Sequence, residues 1–357
     1  MRAKVGNSIK IPADLVAQLN EIGIFPTDLV LYINSACNLR CQHCYIGNEL
    51  LNAAESYSED ELNCFVNQFL SLDRVTVLGG EPLLHKGINS ILGNLLLRPI
   101  RECRMTTNLT FLHNFNHRRF ANERLRLCVS LDGHNAETHD FIRGRGNFTR
   151  TVRNILLMVE EGFDVEITHT VMSHNLSHFA ALVALCKQMG LKRLNLHRIS
   201  PHGNALLNQE LAVTPAEWVS LVGQIKDMAL RSSSHEEVGL AVRFPLLFVS
   251  SNEFNHLIKE GRYHHHVKGS FYSDTEGHRV VLYPDGKLFI SSEAFGTEGF
   301  IGHLEAGRFI YNPDKRNEMK FFPEENPAHT EAVSHLQTGD ANYPKVLSVS
   351  FKQSVSV

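Results

Sequence analysis

An α/β fold built on a parallel sheet is predicted by three observations. Strand-length apolar runs alternate with helix-length segments over about 170 residues. Capping-box and glycine signals punctuate the helical segments. Polar, small or ionisable residues recur directly after each apolar run. Such alternation implies βαβ units with right-handed crossovers and a sheet covered by helices. Six units form either an open doubly wound sheet or a partial barrel, and both place ligands at the C-terminal ends of the strands.

Residues 1–28 read as a small extension, with a helical spacing at Leu15, Val16, Leu19 and Ile22 after Pro12. The strand-like runs are 29–34, 74–78, 102–106, 125–131, 165–171 and 193–199. Helices are expected over 58–72, 86–97, 113–121, 149–161 and 175–189. Ser58 with Glu61 is a capping-box pattern, and Gly162 and Gly190 stand where helix C-caps belong. Thr214-Pro215-Ala216-Glu217 opens a further helix to about Arg231, and 238–244 reads as one more strand. A β-hairpin is expected over 278–290, because apolar runs flank Asp285-Gly286. Residues 312–343 are polar and rich in Glu, Asn, Lys and Pro, a composition that suits loose order. The expected organisation is an extension (1–28), a main α/β domain (29–231) and a C-terminal α+β cap with a tail (232–357).

Composition bounds the class of protein and leaves some partners unsupported. Apolar content of 43% and charged content of 20% describe an ordinary globular protein, and a formal net charge of -3 argues for no nucleic-acid or anionic-membrane partner. No window approaches the apolar length of a membrane span, and the N-terminus has no apolar signal region, so a cytoplasmic location is expected. Seven cysteines with three clustered read as metal binding in a reducing compartment. Cys64, Cys103, Cys128 and Cys186 are expected to be core residues.

The cluster is Cys37-Asn38-Leu39-Arg40-Cys41-Gln42-His43-Cys44-Tyr45, directly after the first strand. Convergent thiolates are soft ligands that select iron–sulfur clusters, zinc or copper(I), and three ligands leave one corner of a four-cornered site open. After the next strands come Gly79-Gly80-Glu81-Pro82, Thr106-Thr107-Asn108, Ser130-Leu131-Asp132-Gly133 and His169-Thr170-Val171-Met172. The sixth run ends in His197-Arg198-Ile199-Ser200-Pro201-His202-Gly203-Asn204. Polar groups at every strand end suit a single shared site. His264-His265-His266 is expected to be a surface feature, because consecutive residues rarely aim at one ion.

The spacing Cys37-x3-Cys41-x2-Cys44, followed in order by Gly79-Gly80-Glu81-Pro82, Thr107-Asn108 and Ser130-Leu131-Asp132-Gly133, resembles the signature of the radical S-adenosylmethionine (radical SAM) superfamily. The resemblance implies a partial (β/α)6 TIM-type barrel. It implies that Cys37, Cys41 and Cys44 hold one [4Fe–4S] cluster whose open iron binds S-adenosylmethionine (SAM). It further implies reductive cleavage of SAM to a 5′-deoxyadenosyl radical, with electrons from a flavodoxin or ferredoxin-type donor. Gly79, Gly80 and Glu81 would meet the amino group of SAM, Asn108 would line the site, and Ser130 and Asp132 would lie near its ribose or methionine part. Arg143, in Asp140-Phe141-Ile142-Arg143-Gly144, would pair with the SAM carboxylate, and His43 and Tyr45 would pack near the adenine. From their position at the end of the sixth strand, over the barrel mouth, His197 and Arg198 are the expected catalytic residues on the substrate side.

The hairpin at 278–290 with Phe300-Ile301-Gly302 resembles SPASM and Twitch modules, which bind auxiliary clusters through cysteines. This chain has no cysteine after Cys186, and Ser291 stands about where one is expected, so a single cluster and a cluster-free cap are implied. The leading expectation is radical chemistry on a peptide or natural-product intermediate. A small sugar- or nucleoside-like metabolite is an alternative substrate. A non-catalytic zinc or iron–sulfur sensor, with His43 as fourth ligand, is an alternative of another class.

Overall fold

The computed structural model describes residues 9–53, 56–121, 123–199, 202–214, 217, 220–221, 224–225, 241–244, 279–289, 300–312 and 349–350. The strands are β1 (Asp28–Tyr32), β2 (Leu72–Leu78), β3 (Ile100–Thr107), β4 (Leu125–Ser130), β5 (Asp164–Val171), β6 (Arg193–Arg198), β7 (Ala241–Phe244), β8 (Arg279–Leu282), β9 (Lys287–Phe289), β10 (Phe300–Glu305), β11 (Arg308–Tyr311) and β12 (Val349–Ser350). The α-helices are α1 (Leu15–Glu21), α2 (Gly47–Ala53), α3 (Glu59–Val66), α4 (Ile88–Leu96), α5 (Ala136–Arg143), α6 (Asn147–Glu160) and α7 (Phe179–Gln188). All strands belong to one sheet in the order β11-β10-β9-β8-β1-β2-β3-β4-β5-β6-β7-β12.

Strands β1 to β7 pair in parallel and in sequence order, as successive βαβ crossovers demand. The sheet does not close among the described residues, so the α/β expectation resolves to a partial barrel. The C-terminal hairpin is not a separate layer. Strand β8 lies parallel to β1, pairing Asp28 with Arg279, and β9, β10 and β11 extend the same sheet antiparallel. Tyr57 Oη donates to the Tyr283 carbonyl at 2.5 Å and ties that hairpin to the barrel wall.

Alternation along the strands builds both the core and the lumen. Val75, Val77, Cys103, Met105, Leu127, Val129, Ile167, Leu194 and Leu196 are buried with helix residues such as Phe65, Ile91, Ile155 and Leu182. The intervening positions, among them Thr76, Thr106, Cys128, Ser130, Thr168 and Asn195, line an interior cavity. A period of two makes one face of each strand apolar and the other polar, so the helices cover the first and the barrel encloses the second.

The local signals hold where backbone groups have side-chain partners. Ser58 Oγ accepts from Glu61 N–H, and the Glu61 carboxylate accepts from Ser58 N–H at 2.9 Å. Thr214 and Glu217 make the same reciprocal pair. Gly162 and Gly190 have positive φ, as C-caps require. Two expectations fail. Residues 113–121 form only a 3-10 turn at His117–Arg119, because Asn89 of α4 captures the carbonyl of Asn114 and the N–H of Asn116. Cys64 is exposed, since α3 turns Leu62, Phe65 and Val66 inward and leaves Cys64 on the other face. Cys103, Cys128 and Cys186 are buried as expected. The His264–His266 tract, Ser291 and all but the first residue of the polar stretch 312–343 lie outside the described residues.

Candidate functional site

A cavity of about 690 Å³ occupies the lumen, and its upper wall carries Cys37, Cys41 and Cys44. The thiols sit where the chain leaves β1, and three neighbouring segments hold their loop in place. From the β2 side, Gly80 N–H donates to the Asn34 carbonyl at 2.9 Å and Glu81 N–H to the Ala36 carbonyl at 2.8 Å. A Cβ on Gly80 would run into the carbonyl oxygens of Ser35 and Ala36, so this approach requires glycine.

From the β4 side, Gln42 N–H donates to the Ile142 carbonyl at 3.1 Å, and its side chain donates to the Phe141 carbonyl at 2.6 Å. From the β6 side, Asn204 N–H donates to the Cys44 carbonyl at 2.8 Å and Asn204 Nδ2 to the Cys41 carbonyl at 3.0 Å. Gly203, with φ +57, packs so closely that a Cβ would lie 2.5 Å from the Tyr45 carbonyl oxygen. The segment after β6 therefore clamps the cysteine loop as well as bordering the cavity.

The sequence-predicted residues fall into two groups. His43, Tyr45, Gly79, Gly80, Glu81, Asn108, Ser130, Arg143 and His197 border the cavity together with the thiols. Asp132 does not border it. It is fully buried, accepts from Arg143 Nε at 2.5 Å and from Thr170 N–H at 2.8 Å, and stands 3.3 Å from His43 Nε2. For Arg198 only its place as the last residue of β6 is described, not its side chain.

Electrostatics separate the roles further. Burial pushes Glu81 up to about 7, against hydrogen bonds from Thr107, Asn108 and Leu83 that favour its charged form. Its Oε1 accepts from Thr107 Oγ1 at 2.6 Å and Leu83 N–H at 3.1 Å, and its Oε2 from Asn108 N–H at 2.8 Å. Glu81 thus joins the ends of β2 and β3. Asn108 Nδ2 lies 3.9 Å from Cys37 Sγ and donates to Asn38 Oδ1 at 3.0 Å.

Burial raises Asp132, but the Arg143 guanidinium and the surrounding imidazoles hold it well below the usual carboxylate range. Burial lowers His43 to about 4, so its ring is neutral near pH 7. Burial likewise pushes Cys37 up to about 12 and Cys41 up to about 11, with Arg143 opposing the rise at Cys41. Such thiols become thiolates when a cation replaces the proton.

The residues present fit a cluster with a polar ligand. Soft thiolates match the iron of such a cluster. His43, the candidate fourth ligand of a closed zinc site, has its Nε2 between Arg143 and Asp132. Its buried Nδ1 has no protein partner. Tyr45 donates or accepts at 2.8 Å with Tyr32, whose ring stacks on Tyr283 at 4.3 Å, making one side of the upper lumen aromatic.

Sequence reading missed the polar lining below the thiols, although it is written as a two-residue period in Arg74-x-Thr76, Arg104-x-Thr106 and Glu166-x-Thr168. It also missed α5, whose start is signalled by Asn135, which accepts from Thr138 N–H at 2.9 Å.

Residues 31–186 match the Radical SAM superfamily. The AdoMet-dependent heme synthase of Nitratidesulfovibrio vulgaris is 24% identical over 207 residues, 57% of this chain and 56% of that protein. The antilisterial bacteriocin subtilosin biosynthesis protein AlbA of Bacillus subtilis is 25% identical over 185 residues, 50% of this chain and 40% of that protein. The chain thus spans about half the length of the curated relatives it matches. Among solved structures, Streptococcus suis SuiB bound to its precursor peptide SuiA superposes with a TM-score of 0.65 at 15% identity, covering 89% of this chain and 72% of that one. That likeness shows the shared fold.

Proposed function

The chain belongs to the radical SAM superfamily, a family that uses a [4Fe–4S] cluster and SAM, and on that premise we propose that it is a radical SAM enzyme acting on a peptide or natural-product intermediate. The observation that carries the reading is the placement of Cys37, Cys41 and Cys44 on the wall of one cavity that continues down the barrel lumen. When bound, the two cofactors supply a 5′-deoxyadenosyl radical that abstracts a hydrogen atom from substrate.

This chain's own residues hold and shield that chemistry. Cys37, Cys41 and Cys44 would hold three irons as thiolates. Arg143, anchored on Asp132, places a fixed positive charge 3.9 Å from Cys41 Sγ. Gly80, Gln42 and Asn204 keep the cysteine loop from shifting. His43 and Tyr45 border the same space on the loop's inner side, and His197 with Asn195 faces it from β6. The peptide-directed part of the reading draws on AlbA, named for biosynthesis of the bacteriocin subtilosin, and on the fold neighbour SuiB, solved bound to a precursor peptide.

Anaerobic reconstitution tests the proposal. The expected result is about four irons and four sulfides per chain, with 5′-deoxyadenosine released from SAM under dithionite. Cys41→Ala should abolish cluster absorbance and SAM cleavage together. Tight zinc binding without SAM cleavage would overturn the reading in favour of a sensor or adaptor.

A further inference from the structure

Arg143 ends α5 and turns its guanidinium back across the cysteine loop. Its Nε donates to Asp132 Oδ2 at 2.5 Å, its Nη1 stands 3.9 Å from Cys41 Sγ, and its Nη2 lies 3.3 Å from His43 Nε2. The anchor is itself fixed. Asp132 Oδ1 accepts from Thr170 N–H at 2.8 Å, Asp132 N–H donates to His139 Nδ1 at 3.2 Å, and the Asp132 carbonyl accepts from Asn175 Nδ2 at 3.0 Å. The backbone of α5 is tied to the same loop, because Gln42 N–H donates to the Ile142 carbonyl. A guanidinium held at both ends acts on the sulfur as a preorganised charge that needs no reorientation.

The three thiols meet different surroundings. Cys37 Sγ accepts from Leu39 N–H at 3.4 Å and faces Asn108 Nδ2 at 3.9 Å, both neutral donors. Cys41 faces a cation. Burial disfavours the charge of that guanidinium, but Asp132, Cys41 and Cys44 outweigh the penalty, so it acts on two of the three sulfurs. Three thiolates around an iron–sulfur core leave the oxidised centre negative, and reduction adds a further negative charge. In a buried site a fixed cation this close favours the more negative state. Charge and hydrogen bonds at the sulfurs are levers that set the potential of such centres.

We propose that Arg143, by donating to the Cys41 sulfur, raises the reduction potential of the cluster held by Cys37, Cys41 and Cys44, and that Asp132 is the positioning residue that aims it. Guanidinium and carboxylate cancel in net charge, so the effect comes from orientation. The positive end borders the cavity beside the thiols, and the negative end lies behind it. The step served is the entry of one electron from a flavodoxin- or ferredoxin-type donor, in which no bond forms or breaks. This role is separate from the expected contact of Arg143 with the SAM carboxylate, because it acts on the sulfur whether or not SAM is present. The inference rests on the cluster proposed for these three cysteines.

The test titrates cluster-loaded protein potentiometrically without SAM, so that no other carboxylate reaches the guanidinium. The reduced fraction is read by electron paramagnetic resonance. The main variant combines Arg143→Met with Asp132→Asn, which leaves the net charge of the chain unchanged and leaves neither partner buried alone. At a fixed applied potential its reduced-to-oxidised ratio should fall at least about tenfold, which for one electron is about 59 mV. A smaller fall, or a rise, overturns the inference. Arg145→Met is the control: it removes a positive charge from an exposed side chain nearby in the sequence, and solvent screening should hold its ratio within about twofold of the native one. Pulsed resonance of reduced native protein carrying arginine labelled at its guanidinium nitrogens should show a nitrogen coupling to the cluster spin that Arg143→Lys removes. Absence of that coupling in the native protein overturns the inference as well. Should the double variant load no cluster, the coupling and its loss in Arg143→Lys decide. Native protein that loads no iron–sulfur cluster sinks the enzyme reading, whereas a loaded cluster indifferent to the double substitution sinks this inference alone.

Discussion

Arg143 donates from Nε to Asp132 Oδ2 at 2.5 Å while its Nη1 lies 3.9 Å from Cys41 Sγ. One guanidinium therefore joins a fully buried carboxylate to the wall that carries the thiols. Asp132→Asn leaves Arg143 buried with its counter-charge removed, which costs about 3–5 kcal/mol. Urea unfolding of the metal-free variant should show that loss. Arg143→Met combined with Asp132→Asn should recover part of it, and a double-mutant cycle with no coupling would contradict the pairing.

The glycine at position 80 sits where a side chain has no room. Gly80→Ala should lower iron loading sharply after reconstitution, because the new Cβ meets the carbonyls of Ser35 and Ala36 and pushes the cysteine loop away. Gly146→Ala is the contrast. Nothing lies within 4 Å of its added Cβ, yet φ is +80, so only a backbone penalty of about 1 kcal/mol is expected. Iron content and thermal midpoint, measured side by side, check both.

Asn204 is 7% exposed, and its side chain reaches the Cys41 carbonyl at 3.0 Å and accepts from Asn48 N–H at 3.2 Å. Asn204→Ala should cost about 1–3 kcal/mol. In metal-free protein it should also speed alkylation of Cys41 and Cys44 severalfold, read by mass spectrometry, while Cys103 is unaffected.

Glu102 supplies a pH dependence with a definite sign. Burial raises its carboxyl, but hydrogen bonds and charge from Arg104, Arg126 and Arg74 outweigh this and bring it from 4.5 down to about 2. A group depressed in the folded state stabilises it above the unfolded value, and that contribution fades as pH falls through the folded one. The native protein should therefore lose on the order of 3 kcal/mol between about pH 4.5 and 2 through this group. Glu102→Gln should be less stable at pH 6 and flatter with pH across that window in urea unfolding. Parallel curves for the two proteins would contradict the assignment.

Elements whose signal is local and periodic were legible without coordinates. The βαβ alternation, the caps at Ser58 and Thr214 and the turn at Asp285-Gly286 all appear where side chain and backbone within a few residues satisfy one another. The segment 113–121 misled because its backbone groups bond to Asn89, far away in sequence. Cys64 misled because a single apolar residue does not reveal which face of a helix it occupies.

By itself the sequence determined the order of strands and helices and the three thiols after the first strand. It also brought a glycine-rich turn and polar residues to the strand ends, because spacing and periodicity act along the chain. Only the tertiary structure decided that Asp132 lies behind Arg143 and away from the cavity, and that Glu81 is occupied in joining two strands. The same holds for Gly203 and Asn204, which clamp the cysteine loop. It also decided that arginines from β2, β3 and β8 meet inside one lumen. These relations depend on which strands stand side by side and how the sheet curves. Hydrogen bonds and ion pairs between residues 11 to 251 positions apart leave no periodic trace in the chain.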